Sequence, residues 1–196
     1  MTKVSQAELI AGVCNGKVVS FPTDTVPAIA ALPAKSQLIF AAKNRPQTKP
    51  LILMGAKMKD LWQYIRGSTA ELDIWQKVAQ KYWPGQLTLV LPASSLVPDC
   101  MNPKNTGTIG VRIPNSSLAM GILKETGPLA TTSANLSGEE PLETLKEIDE
   151  IFPEILTLDC WEFERKLGNG VPSTVAKWTG EGWQILRQGT IGEIIV

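Results

Sequence analysis

Histidine is absent from the 196 residues, and the formal net charge is zero, with 19 basic against 19 acidic side chains. The first absence excludes a Ser-His-Asp or Cys-His catalytic pair and any zinc site of the usual histidine-containing kind. Chemistry must rest on lysine, arginine, carboxylates, hydroxyls and backbone amides. The second argues against a globally basic nucleic-acid binder but leaves room for a local basic pocket. The three cysteines, Cys14, Cys100 and Cys160, are odd in number and far apart. Neither a secreted disulfide framework nor a CxxC metal site fits them, so buried or half-buried thiols in a reducing cytosol are expected. The opening MTKVSQAELIAG lacks the apolar core of a signal peptide. No apolar run approaches the roughly 20 residues that span a bilayer, so a cytoplasmic protein with no membrane partner is expected. P-loop, GxGxxG and HExxH patterns are missing, as are internal repeats.

What is present reads as one α/β domain over residues 1–196, a length that buries a core without disulfides or a metal. Ser5-Gln6-Ala7-Glu8 and Ser68-Thr69-Ala70-Glu71 have capping-box spacing. Each precedes an apolar stripe of helical period, ended by Asn15-Gly16 and by Trp83-Pro84-Gly85. Further helices are expected after Ser36, over 117–125 and over 144–152. Strands are expected at 17–21, 51–54, 87–91, 108–113, 129–132, 155–159, 174–178 and 183–187. Their alternation with helices predicts an open, twisted sheet with flanking helices, and the Thr179–Gly182 connection makes it mixed. The segment 93–107, rich in Ser, Pro and Asn, reads as a long loop. Trp62, Trp75 and Trp83 fall at helical spacing and are expected mostly in the core.

Polar residues gather where these strands end: Phe21–Thr25, Lys43–Pro50 and Thr131–Gly138. Open α/β sheets bind ligands outside the carboxyl ends of their strands. Lys43-x-Arg45-x-x-x-Lys49 near hydroxyl-rich loops suits a polyanion such as a nucleoside triphosphate. A solvated surface pair, and turn chemistry in Thr-Thr-Ser-Ala-Asn, remain the plainer alternatives. Arg112, in an apolar strand, needs an anionic partner because an unpaired buried charge is costly. A structural carboxylate and a ligand carboxylate serve equally well.

In order along the chain, FPTDTV (21–26), KNRPQTKPL (43–51), WPGQLTLVL (83–91), GVRIP (110–114), SANLSG (133–138), PSTV (172–175) and ILRQG (185–189) resemble the YrdC-like family of threonylcarbamoyl-AMP synthases. The chain looks like the short form of that family. The resemblance implies a YrdC-like fold with a basic concave cavity, and a nucleotidyl transfer that joins L-threonine, bicarbonate and ATP. The products would be threonylcarbamoyl-adenylate, for tRNA modification by downstream threonylcarbamoyl transferase components, and pyrophosphate. ATP would come with Mg2+ as substrate, without a protein-bound metal or organic cofactor. Carried over by motif, Lys43, Arg45, Lys49, Thr108, Ser133, Asn135 and Arg187 would contact the nucleotide, Lys43 and Arg45 being catalytic. Thr25, Arg112, Thr131 and Ser173 would hold threonine, Arg112 through its carboxylate. Where the family continues with Tyr-Gly-Leu-Gly, this chain has Pro27-Ala28-Ile29-Ala30, and Met54 stands where a histidine is frequent. Those departures keep open a paralogue with altered amino-acid choice, or one that binds nucleotide or double-stranded RNA or tRNA.

Overall fold

The computed structural model describes residues 2–161 and 163–194. The first half contains β1 (Lys3–Val4), α1 (Gln6–Cys14), β2 (Val19–Phe21), β3 (Ala28–Ala31), α2 (Gln37–Ala42), β4 (Ile52–Met54) and α3 (Met58–Trp62). Next come α4 (Thr69–Tyr82), β5 (Leu87–Pro92), β6 (Thr108–Arg112), α5 (Ser117–Thr126) and β7 (Leu129–Ser133). The chain closes with α6 (Leu145–Ile151), β8 (Leu156–Leu158), β9 (Thr174–Trp178) and β10 (Trp183–Arg187).

Both expected capping boxes form. The Ser5 and Ser68 side chains accept from the Glu8 and Glu71 amides, and each glutamate accepts from the cap's own N–H. This satisfies two otherwise orphaned donors at each helix start. A third box, Thr144 with Glu147, opens α6.

Three elements escape a periodicity reading. β3, between β2 and β7, is buried at all four positions, and its Ala-Ile-Ala-Ala carries no polar residue to mark an alternation. β1 has two residues and α3 five, too few for a period to register. The 93–107 loop holds one 3-10 turn, Asp99–Met101, and is closed at its base by the Ala93 amide donating to Gly107. The cysteines are free as expected, but Cys14 is exposed rather than buried, because it ends α1 on its outer side.

All ten strands join one mixed sheet in the order β1-β8-β2-β3-β7-β4-β6-β5-β9-β10. Strand alternation sorts its residues onto two faces. Leu53, Leu87, Leu89, Ile109, Val111 and Ala130 belong to a buried core shared with Trp75, Val78 and Ala79 of α4 and Ala119, Ile122 and Leu123 of α5. Trp75 and Trp83 are buried, while Trp62 packs at the core's edge. The alternate set, including Ile52, Thr88, Val90, Gly110, Arg112 and Thr131, faces a cavity. One continuous row of partners crosses that floor: Thr131, Ile52, Gly110, Val90 and Lys177, from β7 to β9. No helix among the described residues is long and apolar enough to cross a membrane.

Candidate functional site

The cavity has a volume of about 410 Å³, within the range of small-molecule sites. It lies on the face of the sheet, with loop residues such as Thr25, Arg45 and Pro172 in its lining, rather than beyond the strand ends. The register of its floor divides it. Thr108 and Ser133 lie two residues to one side of the central row, and Arg112 and Met54 two residues to the other. Ser173 and Thr88 are on the Arg112 side. At the ordinary strand rise, two residues are about 7 Å.

On the Arg112 side, the loop after β2 folds around Thr23, whose hydroxyl donates to the Val26 carbonyl at 2.7 Å and accepts from the Thr25 amide at 3.2 Å. That bend turns Asp24 and Thr25 toward Arg112. The Arg112 guanidinium donates to Asp24 Oδ1 at 2.6 Å, Thr25 Oγ1 at 2.9 Å and the Gly85 carbonyl at 3.0 Å. Its anionic partner within the chain is therefore the structural carboxylate. Three of the five N–H donors of an arginine are thus engaged, and the side chain still lines the cavity. Burial works against the charge on Arg112 and Arg187 adds repulsion, while Asp24 opposes both. Gly168, at φ +62°, packs directly against the Thr25 backbone, so the 166–172 loop buttresses this wall where a side chain would not fit. Ser173 Oγ is 2.8 Å from Thr88 Oγ1 and accepts from Arg187 Nη2 at 3.1 Å. Arg187 therefore reaches the Arg112 side, although the family resemblance groups it with the nucleotide. Thr131, on the central row, donates to the Ile52 carbonyl at 3.1 Å.

On the other side, Arg45 lines the cavity and closes its own loop, donating to the carbonyls of Lys49 and Pro50, both at 3.1 Å. Lys43 is in a different position. It is 0% exposed and donates to the Ser133 carbonyl and to Asn135 Oδ1 (3.1 Å). Asn135 in turn accepts from the Ser133 hydroxyl at 2.7 Å and donates to the carbonyls of Leu136 and Glu139. Lys43 thus sits behind the wall, fastening the Ser133–Gly138 loop to the end of α2. Burial first, then the charges of Arg45 and Lys49, push its pKa down to about 7.

Of the residues singled out from sequence, Thr25, Arg45, Thr108, Arg112, Thr131, Ser133, Ser173 and Arg187 line the cavity. Lys43 and Asn135 stand one contact behind it, and Lys49 is exposed in the loop. Asp24, Thr88, Thr106 and Lys177 were missed. Thr88 and Lys177 did leave a signal, each as a lone polar residue among apolar ones, in LTLVL and VAKW. Among the described residues the lining carries four cations, Arg45, Arg112, Lys177 and Arg187, and no carboxylate. A chain of zero net charge thus concentrates positive potential in one concavity.

A family model for Sua5, YciO and YrdC proteins, described as telomere recombination, matches residues 13–189. The chain belongs to that family. A threonylcarbamoyl-AMP synthase of Bacillus subtilis (strain 168) is 36% identical over 132 residues, 64% of this chain and 36% of that protein. One from Pyrococcus abyssi is 33% identical over 179 residues, 89% of this chain and 51% of that protein. The chain therefore spans between about a third and half the length of these curated relatives. The structure of P. abyssi Sua5 complexed with L-threonine matches with a TM-score of 0.83 at 29% identity, covering 95% of this chain and 55% of that one.

Proposed function

We propose that this chain, as a single unit built on its one sheet, is a threonylcarbamoyl-AMP synthase. The observation that carries the reading is the division of one cation-lined cavity into two subsites. Ser133, Thr108 and Arg45 stand on one side of the central row, and Arg112, Thr25 and Ser173 on the other. The activity for which the relatives are named and the threonine complex of the P. abyssi neighbour support the same assignment.

In this reading the nucleotide occupies the Ser133 side, and Arg45 holds its phosphates. L-threonine occupies the Arg112 side, its carboxylate taking the guanidinium donors that Asp24, Thr25 and Gly85 leave free. The neutral amine of threonine adds to bicarbonate, giving a carbamate and water. A carbamate oxygen then attacks the α-phosphorus, and pyrophosphate leaves with the electrons of the broken P–O bond. The protein orients the reactants and neutralises charge, which needs no histidine. Mg2+ would enter with the nucleotide substrate, since among the described residues no carboxylate lines the cavity. Lys43 acts through Ser133 and Asn135 as a positioning residue, leaving Arg45 as the phosphate-side cation. The adenylate would pass to components that modify tRNA.

A second reading rests on Met54, which lines the cavity and is the register partner of Arg112. A thioether there adds apolar surface beside the carboxylate site, which favours an amino acid with a more apolar side chain. One experiment separates the two. The protein is incubated with ATP, Mg2+, bicarbonate and a panel of amino acids while pyrophosphate release is followed. Release that requires threonine and bicarbonate, and is lost in Arg45→Ala, supports the synthase. Release with another amino acid instead supports the second reading, and none with any refutes both.

A further inference from the structure

Lys177 is a cavity residue that neither the family motifs nor the chain's internal contacts account for. It lies on β9 two residues beyond the PSTV segment, and Ser173, Val175 and Lys177 all face the cavity. It is half-buried, and among the described residues no hydrogen bond or ion pair engages its ammonium group. The other three cavity cations are already held: Arg112 by Asp24, Arg187 by Ser173, and Arg45 by the carbonyls of its own loop. A lysine with no carboxylate beside it, in a concavity shared with three arginines, raises the local positive potential without an internal counter-charge. An anionic ligand supplies one.

Its level in the sheet says which anion. Of the five residues in the central row, Thr131, Ile52, Gly110, Val90 and Lys177, only Lys177 is charged. That row separates the Ser133–Thr108 side from the Arg112 side. In the proposed function it is where the two substrates must meet, since the new bond joins a group from one side to the α-phosphorus from the other. Gly110 puts no side chain over the middle of the row, and Lys177, at the row's edge, lines the same cavity on a stem of four methylenes. A carboxylate held by Arg112 is one step away, whereas the phosphate under attack lies over the row itself.

We propose that Lys177 is a catalytic residue, the cation that contacts the α-phosphate and neutralises the charge building on it during adenylate formation. This rests on the synthase reading. The bond formed is carbamate oxygen to α-phosphorus, the bond broken is α-phosphorus to the bridging oxygen of pyrophosphate, and Lys177 keeps its proton throughout. Removing one preorganised donor from a developing anion costs about 100-fold in kcat in comparable sites.

The test compares wild type, Lys177→Met, Lys177→Arg and Arg45→Ala in pyrophosphate release and in equilibrium ATP binding by calorimetry. Lys177→Met should lower kcat by about 100-fold while ATP affinity falls by less than about 10-fold and the melting temperature holds. Lys177→Arg should recover at least a tenth of the wild-type rate. If Lys177→Met turns over within about 3-fold of wild type, or loses rate only through KM, the assignment is overturned; loss in Arg45→Ala alone would leave the synthase reading standing. If the wild type releases no pyrophosphate with any amino acid, the synthase reading fails and takes this one with it.

Discussion

Replacing Asp24 by alanine should be among the most destabilising single changes open to this wall of the cavity. The Asp24–Arg112 pair is 2.6 Å apart, with side chains only 8% and 5% exposed. Removing the carboxylate strands a buried guanidinium whose two remaining contacts, Thr25 and Gly85, are neutral. Breaking a buried pair from one side costs about 3–5 kcal/mol, because the charge left behind has lost both water and partner. For a chain of this size that corresponds to a fall in melting temperature of roughly 6–20 °C. The pair is not a strong net stabiliser, however. Asp24 Oδ2 is buried with no hydrogen-bond partner among the described residues, so the carboxylate recovers only part of its desolvation. The double variant Asp24→Ala, Arg112→Met should therefore be more stable than Asp24→Ala alone, and the cycle through both single variants should give a coupling of about 1–3 kcal/mol. Urea unfolding of the four proteins at pH 7, with m-values compared, measures both quantities. A single variant within about 1 kcal/mol of wild type, or a double variant less stable than the single, refutes the reasoning.

Lys43 predicts a pH dependence whose sign is fixed. Its pKa in the folded chain is about 7 against an ordinary 10.5, so between those values the unfolded chain holds a proton the folded chain has shed. Stability contributed by this site should rise as pH climbs through that window, by up to about 1.4 kcal/mol per unit, and be flat below about 7. The neutral amine keeps two N–H donors, enough for the Ser133 carbonyl and Asn135. Urea midpoints from pH 6 to 10 should converge or cross between wild type and Lys43→Met in that sense; parallel curves would count against it. Gly110 supplies a steric prediction. An added Cβ would meet Ile52 and Thr88 side-chain atoms at 3.4 Å, so Gly110→Ala should fold with a change of about 1 kcal/mol or less. Gly110→Val should fold too but block the cavity floor, and calorimetry should find ATP binding lost; retained binding would place the ligand elsewhere.

The longer helices α1 and α4 were legible because their signals are local. Ser5, Ser68 and the stripes behind them carry caps and period within a dozen residues, and the 174–178 and 183–187 strands appear at the expected bounds. β3 was not, because all four of its residues are apolar and buried, which leaves no period to read, and its partners β2 and β7 are fixed by pairing that a local pattern does not report. The placement of Lys43 was hidden for a related reason. Lys-x-Arg reads as two phosphate ligands, but Arg45 lines the cavity while Lys43 turns back toward Asn135, 92 residues away in sequence. Asp24 was likewise invisible as the partner of Arg112, since the choice between a structural and a ligand carboxylate depends on a loop that bends through the Thr23 hydroxyl.

The position of the cavity is the more general lesson. Polar clusters at strand ends pointed to a site beyond the sheet, yet the floor is made of strand interiors. Thr88, Thr108, Gly110, Arg112 and Thr131 interrupt otherwise apolar strands on the face that lines the cavity, alternating with the buried Leu87, Leu89, Ile109, Val111 and Ala130. A helix-covered sheet face selects large apolar side chains, as Leu87, Leu89, Ile109 and Val111 show. A face that must receive a charged ligand sets hydroxyls, glycine and cations among apolar residues such as Ile52 and Val90, because a wholly apolar floor would leave the ligand's polar groups desolvated and unpaired. A polar residue inside an otherwise apolar, buried strand, such as Thr88 in LTLVL, is therefore evidence for a ligand surface.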